Sequence, residues 1–135
     1  MSPQQSVLEI GCGAGDLLAS VEPAAGVGVD FSGRMLDVAR SRHPGLEFIE
    51  ADAHDVRLNR TFDVIILSDL VNDLWDVQAA LERLQPMCHR GTRVITNFFS
   101  HLWAIPRGIA ERIGAAKPIL DQNWLTVGDM TNLLN

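Results

Sequence analysis

The chain has 135 residues, 47% of them hydrophobic and 21% charged, with 17 acidic against 11 basic residues and a formal net charge of −6. This is the composition of one globular domain with one hydrophobic core, and it excludes a chain disordered throughout. No basic run or basic helical face occurs, so duplex nucleic acid is not an expected partner.

Short apolar runs alternate with amphipathic stretches, each run bounded by Gly, Asp, Pro or Asn, in a β-α-β-α rhythm. In chain order the pattern predicts a strand over 7–10, a helix over 16–22, a strand over 26–29 and a helix over 33–42. Strands over 46–49 and 62–67, a helix over 73–84 and a strand over 93–99 follow. Helical spacing is carried by Met35, Leu36 and Ala39 in one helix and by Leu74, Val77, Leu81 and Leu84 in another. Ser32 and Asp73 are N-cap candidates, and Pro86 closes the helix before it. Beyond residue 99 two further helical candidates, 103–116 and 126–135, have no strand between them.

Apolar runs with little alternation, such as 64–67, suit strands covered on both faces. The expected fold is therefore a doubly wound α/β fold around a parallel sheet. The longest stretch without a charged residue, 94–106, is shorter than the roughly 20 residues a membrane-spanning helix needs. The first residues show neither a basic leader nor a long apolar core, so a cytoplasmic address is expected. Cys12 and Cys88 are spaced like intracellular thiols. None of His43, His54, His89 and His101 pairs with another His or a Cys at metal-ligand spacing, and no metal is expected.

The chemical signal begins where the first strand ends, in Glu9-Ile10-Gly11-Cys12-Gly13-Ala14-Gly15-Asp16. Glycines at alternate positions turn the backbone sharply and leave it bare, so that a ligand can lie on the main chain beside a helix N-terminus. Asp30, closing the second strand, supplies a carboxylate that can accept both hydroxyl protons of a ribose. A dinucleotide site is the competing reading, but its Gly-x-Gly-x-x-Gly fingerprint is not met. The third glycine comes one residue early, and Asp16 would face a pyrophosphate. A ligand with a cationic centre has less difficulty there.

At this point the residues resemble a family, the class I S-adenosylmethionine-dependent methyltransferases. VLEIGCGAG is similar to that family's first motif, an acid two positions before a Gly-x-Gly-x-Gly loop lining the methionine and ribose parts of the cofactor. GVGVDFSGRMLDVAR is similar to the second, which implies that Asp30 takes the ribose hydroxyls and that Phe31 and Met35 flank the adenine. FIEADAHDV resembles the third, implying that Asp52 meets the adenine amino group and that Ala53 leaves room for the ring. FDVIILSD resembles the fourth, whose end at Ser68 faces cofactor and substrate, and GTRVITNFF resembles the fifth strand. The resemblance implies a Rossmann-like sheet of order 3-2-1-4-5, with S-adenosylmethionine as cofactor held by Glu9, Gly11, Gly13, Gly15, Asp30, Phe31, Met35, Asp52, Ala53 and Ser68. Carboxylates at 9, 30 and 52 suit a ligand carrying a sulfonium and an ammonium against one carboxylate.

After the fourth strand, Ser68-Asp69-Leu70-Val71-Asn72-Asp73 contains neither the Pro-Pro-aromatic sequence of related amide- and base-nitrogen enzymes nor a Pro-Cys pair. The expected acceptor is therefore a small molecule, at oxygen or carbon rather than nitrogen. His101 and Asp69 are candidate bases that nothing positions, so no catalytic residue is assigned. The alternative is a fragment that binds the cofactor, or keeps only the fold, without turning over. The resemblance implies helices before the first motif and an antiparallel hairpin after the fifth strand, so residues 1–135 look like one methyltransferase domain, the core of a longer protein. Without that hairpin, the edge formed by residues 93–99 is expected to drive self-association.

Overall fold

The computed structural model describes residues 4–68 and 76–97. Along them run β1 (Ser6–Ile10), α1 (Asp16–Ser20), β2 (Ala25–Asp30), α2 (Gly33–Arg42), β3 (Glu47–Glu50) and β4 (Phe62–Leu67). They are followed by α3 (Val77–Leu84), a 3-10 turn (Gln85–Met87) and β5 (Cys88–Thr96). All neighbouring strands are parallel, in the order β3-β2-β1-β4-β5. The chain steps outward from β1 to β3 and then crosses back to β4, so the winding reverses between β1 and β4. At such a point the C-terminal strand ends leave a crevice for a ligand.

The unbroken apolar runs have the expected cause. In β4, Val64 and Ile66 join a core with Leu18 of α1 and Leu36 and Ala39 of α2. Ile65 and Leu67 point the other way, into a core with Ala80 and Leu84 of α3 and with Met87. β1 divides likewise, Val7 to the first core and Leu8 and Ile10 to the second. With helices on both faces, both faces of these strands are largely apolar, Glu9 of β1 being the buried exception.

Ser32 caps α2, its hydroxyl accepting from the Met35 N–H. The cap of α3 is Asp76, not Asp73: the Asp76 carboxylate accepts from the Ala79 N–H at 2.9 Å. Asp69, Asp73 and Asp76 all precede this helix in the sequence, and local pattern alone does not choose among them. β5 begins at Cys88, ahead of the expected residue 93, and its register with β4 slips between the Phe62–Cys88 and Val64–Arg93 pairs. The segment His89-Arg90-Gly91 is polar and carries no apolar periodicity. Thr92 holds it instead, donating its hydroxyl to the Phe62 carbonyl at 2.6 Å and accepting from the His89 N–H at 2.8 Å.

Among the described residues, β4 is the one strand that pairs with β5, and Val94 and Ile95 stay 37% and 43% exposed. Asp69, Phe98, Phe99, His101 and the helical candidates 103–116 and 126–135 lie outside the described residues. No helix among the described residues is long and apolar enough to cross a membrane.

The N-terminal ends of the central strands are stapled by polar groups. Asp63 Oδ2 accepts from both the N–H and the hydroxyl of Ser6 at 2.8 Å, and Asp63 Oδ1 meets His89 Nε2 at 3.1 Å. The Gly91 N–H donates to His89 Nδ1, so the ring proton sits on Nε2 and is donated to Asp63. The Ser6 N–H, followed by its hydroxyl, holds the Asp63 carboxyl below its ordinary range.

Gly28, in the middle of β2, marks the tightest approach of strand to loop. A β-carbon there would lie 2.7 Å from Cys12 Sγ and 2.8 Å from Phe48 Cδ1. Gly28→Ala is expected to destabilise the chain by about 1–3 kcal/mol through overpacking, measured as a lowered urea midpoint with an unchanged slope.

Candidate functional site

At the C-terminal edge of the sheet, β1 runs into a loop that must turn at once into α1. Gly13 and Gly15 adopt φ of +52° and +77°, values that strain any residue with a β-carbon. The Gly11 and Cys12 N–H groups both donate to the Val29 carbonyl, at 2.8 and 3.0 Å, which pins the loop to the end of β2. At Gly15 a β-carbon would sit 2.7 Å from Phe48 Cζ, so this glycine answers to packing. At Gly13, among the described residues, a β-carbon would meet only the Met35 methyl, at 3.7 Å. Bare main chain therefore faces a space bounded by Met35, a cradle that a side chain would fill.

Asp30 organises this corner. Its Oδ2 accepts from the Gly13 N–H and its Oδ1 from the Ser32 N–H, both at 2.8 Å, joining the glycine loop to the start of α2. Phe31, next in sequence, projects into solvent with 76% of its surface exposed. Beneath the loop lies Glu9, 2% exposed, which accepts from the Leu18 N–H and whose Oε2 has no hydrogen-bond partner among the described residues. Burial, with the Asp30 charge adding to it against the Leu18 bond, pushes the Glu9 carboxyl from 4.5 up to about 7. Burial likewise pushes the neighbouring Cys12 thiol up to about 12, with the Glu9 and Asp30 charges adding to it, so this thiol is not a nucleophile. An orphaned buried oxygen beside a second carboxylate suits a ligand that brings donors and positive charge.

The adenine-side residues of the sequence reading lie in the loop after β3, whose start is tied to β2 by the Ala51 N–H on the Asp30 carbonyl. Asp52 is more than half exposed there, and Ala53 is half-buried beside it. Ser68, just past the end of β4, borders a hollow of about 220 Å³ between the tips of β4 and β5, lined by Leu17, Ile66, Ile95, Thr96 and Asn97 among others. Glu9, the glycine loop, Asp30 and Met35 are thus brought together directly, Asp52 and Ala53 through β3, and Ser68 just past the end of the neighbouring strand β4.

Two features were not visible in the sequence. The Asp16 carboxylate is taken up by His43 Nε2 at 2.8 Å and Arg42 Nη1 at 3.1 Å, and these partners, His43 first, lower its pKa. Its charge is therefore met by the end of α2, and Asp16 weighs less against a pyrophosphate than the glycine spacing does. His54 is the second feature: it is buried and bonds to Asp52, and its place two residues after an aspartate in a turn was the one available signal.

Residues 7–91 match the family model described as a methyltransferase domain. The chain belongs to this family, the class I S-adenosylmethionine-dependent methyltransferases. A demethylmenaquinone methyltransferase of Paenarthrobacter aurescens is 33% identical over 103 residues, covering 72% of this chain and 40% of that protein. The S-adenosylmethionine-bound amino pentose methyltransferase of Micromonospora echinaspora superposes with a TM-score of 0.63 at 26% identity, covering 71% of this chain and 44% of that one. An S-adenosylmethionine-dependent methyltransferase from Mesorhizobium loti shares the fold with a TM-score of 0.79 at 20% identity, over 97% of this chain and 72% of its own. The methyltransferase chain thus spans less than half the length of the demethylmenaquinone methyltransferases it matches.

Glu9 gives this methyltransferase domain a pH signature. The folded chain keeps a proton up to about pH 7 that the unfolded chain releases near 4.5, so this stabilising contribution is complete below 4.5 and is lost as pH rises through 7. Glu9→Gln removes that titration. Between pH 5 and 8.5 the variant is expected to gain on the native chain by on the order of 1–3 kcal/mol, read from urea unfolding at the two pH values.

Proposed function

We propose that this chain is the cofactor-binding core of an enzyme that moves a methyl group from S-adenosylmethionine to a small apolar acceptor, at carbon or oxygen rather than nitrogen. The observation that carries the reading is the buried Glu9 with its orphaned Oε2, set below the glycine loop and beside Asp30. Asp30 takes the ribose hydroxyls, Glu9 faces the methionine part, and Asp52 accepts from the adenine amino group. Phe31 and Met35 cover the ring, for which Ala53 leaves room.

The cofactor supplies a methyl group on a positively charged sulfur, and that charge vanishes on transfer. What the chain contributes is orientation and dryness: main chain at Gly13 against the cofactor, and an acceptor held in line at the end of β4. The hollow beside Ser68 suits such an acceptor, since Leu17, Ile66, Leu67 and Ile95 give it apolar walls and Ser68, Thr96 and Asn97 a few polar groups. The names of several relatives, demethylmenaquinone methyltransferases and a C-methyltransferase of ubiquinone and menaquinone biosynthesis, favour a quinone-like ring carbon. Two free thiols, Cys12 and Cys88, fit the cytoplasm. The reading includes self-association through the outer edge of β5, supported by the exposure of Val94 and Ile95; a monomer at high concentration in sedimentation velocity refutes that element.

Calorimetry with S-adenosylmethionine, S-adenosylhomocysteine and NADH tests the cofactor reading. The first two are expected to bind and NADH is not; NADH binding without the others overturns the proposal. Asp30→Ala is expected to weaken S-adenosylhomocysteine binding by about 1–3 kcal/mol, the loss of a charged acceptor.

A further inference from the structure

The loop after β3 carries a histidine that the cofactor reading leaves without a role. His54 is 8% exposed, and both faces of its backbone and ring are engaged. Its N–H and its Nδ1 both approach the same oxygen, Asp52 Oδ1, at 2.8 Å. On the far side of the ring the Asp76 N–H points at Nε2, 3.4 Å away. Arg83 of α3 donates its Nε–H to the His54 carbonyl at 3.2 Å. A backbone N–H can only donate, so Nε2 is the acceptor nitrogen and the ring proton sits on Nδ1, donated to Asp52.

The two oxygens of Asp52 are thereby made unequal. Oδ1 is saturated by two donors from one residue, while Oδ2 has no partner among the described residues on a side chain that is 55% exposed. Those two His54 bonds, the backbone one first, also keep the carboxyl below its ordinary range, so Asp52 is an ionised acceptor at neutral pH. α3, through the N–H of its own N-cap Asp76 and through Arg83, fixes the histidine in turn. A carboxylate on a turn would otherwise rotate, and here one rotamer is held from behind.

We infer that His54 is a positioning residue for base selection: it locks the Asp52 carboxylate so that its open oxygen accepts from an exocyclic amino group and rejects a carbonyl at that place. The inference rests on the assignment of Asp52 to the adenine amino group. It makes the chain discriminate adenosyl from inosyl ligands, since hypoxanthine presents a carbonyl oxygen, itself an acceptor, where adenine presents donors.

The test compares S-adenosylhomocysteine with S-inosylhomocysteine by calorimetry on the full chain. The native chain is expected to prefer the adenosyl ligand by about tenfold or more, and Asp52→Ala to abolish the preference. His54→Asn keeps a donor near the position of Nδ1 and is expected to retain the preference. His54→Gln places its amide near Nε2, loses the donation to Asp52, and is expected to drop the preference to about threefold or less through weaker adenosyl binding. A His54→Gln chain that melts cooperatively and keeps the native ratio overturns the inference, as does a variant that loses both ligands equally. Nitrogen NMR of the His54 ring in the native chain is an independent check: protonation at Nδ1 supports the inference and protonation at Nε2 overturns it. If the native chain binds neither ligand, the cofactor reading itself falls and the inference falls with it. A native preference that survives in Asp52→Ala overturns the assignment of Asp52 alone, and with it this inference.

Discussion

A carboxylate that is nearly buried must find donors, and Asp30 finds two of them in the backbone N–H groups of Gly13 and Ser32. Much of the C-terminal edge of the sheet follows from that demand. The glycine loop is drawn down onto the end of β2, α2 is started at a fixed place, and the space above is left to main chain and to Met35. Glu9 then lies under a second negative charge with one oxygen unpartnered among the described residues, so the site carries an electrostatic demand before any ligand arrives. Such a demand is costly in a core and useful in a binding site, because a ligand that brings positive charge and donors removes it.

The two ends of the sheet solve opposite problems. At the N-terminal end Ser6, Asp63, His89 and Gly91 close a network in which each member has its partner, joining β1, β4 and β5. At the C-terminal end, Glu9 Oε2 and Asp52 Oδ2 have no partner among the described residues. Satisfied groups hold strands together, and unsatisfied ones select what binds. The same device, a histidine tautomer set by a backbone N–H, serves both ends, with the proton on Nε2 at His89 and on Nδ1 at His54.

His54 ties the loop after β3 to α3, whose cap residue and Arg83 grip it. Ser68, just past β4, borders the hollow at the tips of β4 and β5. α3 itself packs through Ala80 and Leu84 against Ile65 and Leu67 of β4, so the loop is anchored in the same core as the strand that ends beside that hollow.

The fold class was legible because its signals are local. Strands covered on both faces lose alternation, α2 declares itself over 33–42 by spacing and by Ser32, and left-handed turns call for glycine at 11, 13 and 15. An acid closing a strand, as Asp30 does, was visible for the same reason. What tertiary structure decided are the partnerships between residues far apart in the chain: Asp16 with Arg42 and His43, His54 with Asp76 and Arg83, Asp63 with Ser6 and His89. The choice of Asp76 over Asp73 as cap and the early start of β5 belong with them. Periodicity and dihedral preference act within a turn or a strand and can be read one residue after another. Burial, charge compensation and the protonated nitrogen of a histidine exist only once packing has brought separate segments within hydrogen-bonding distance.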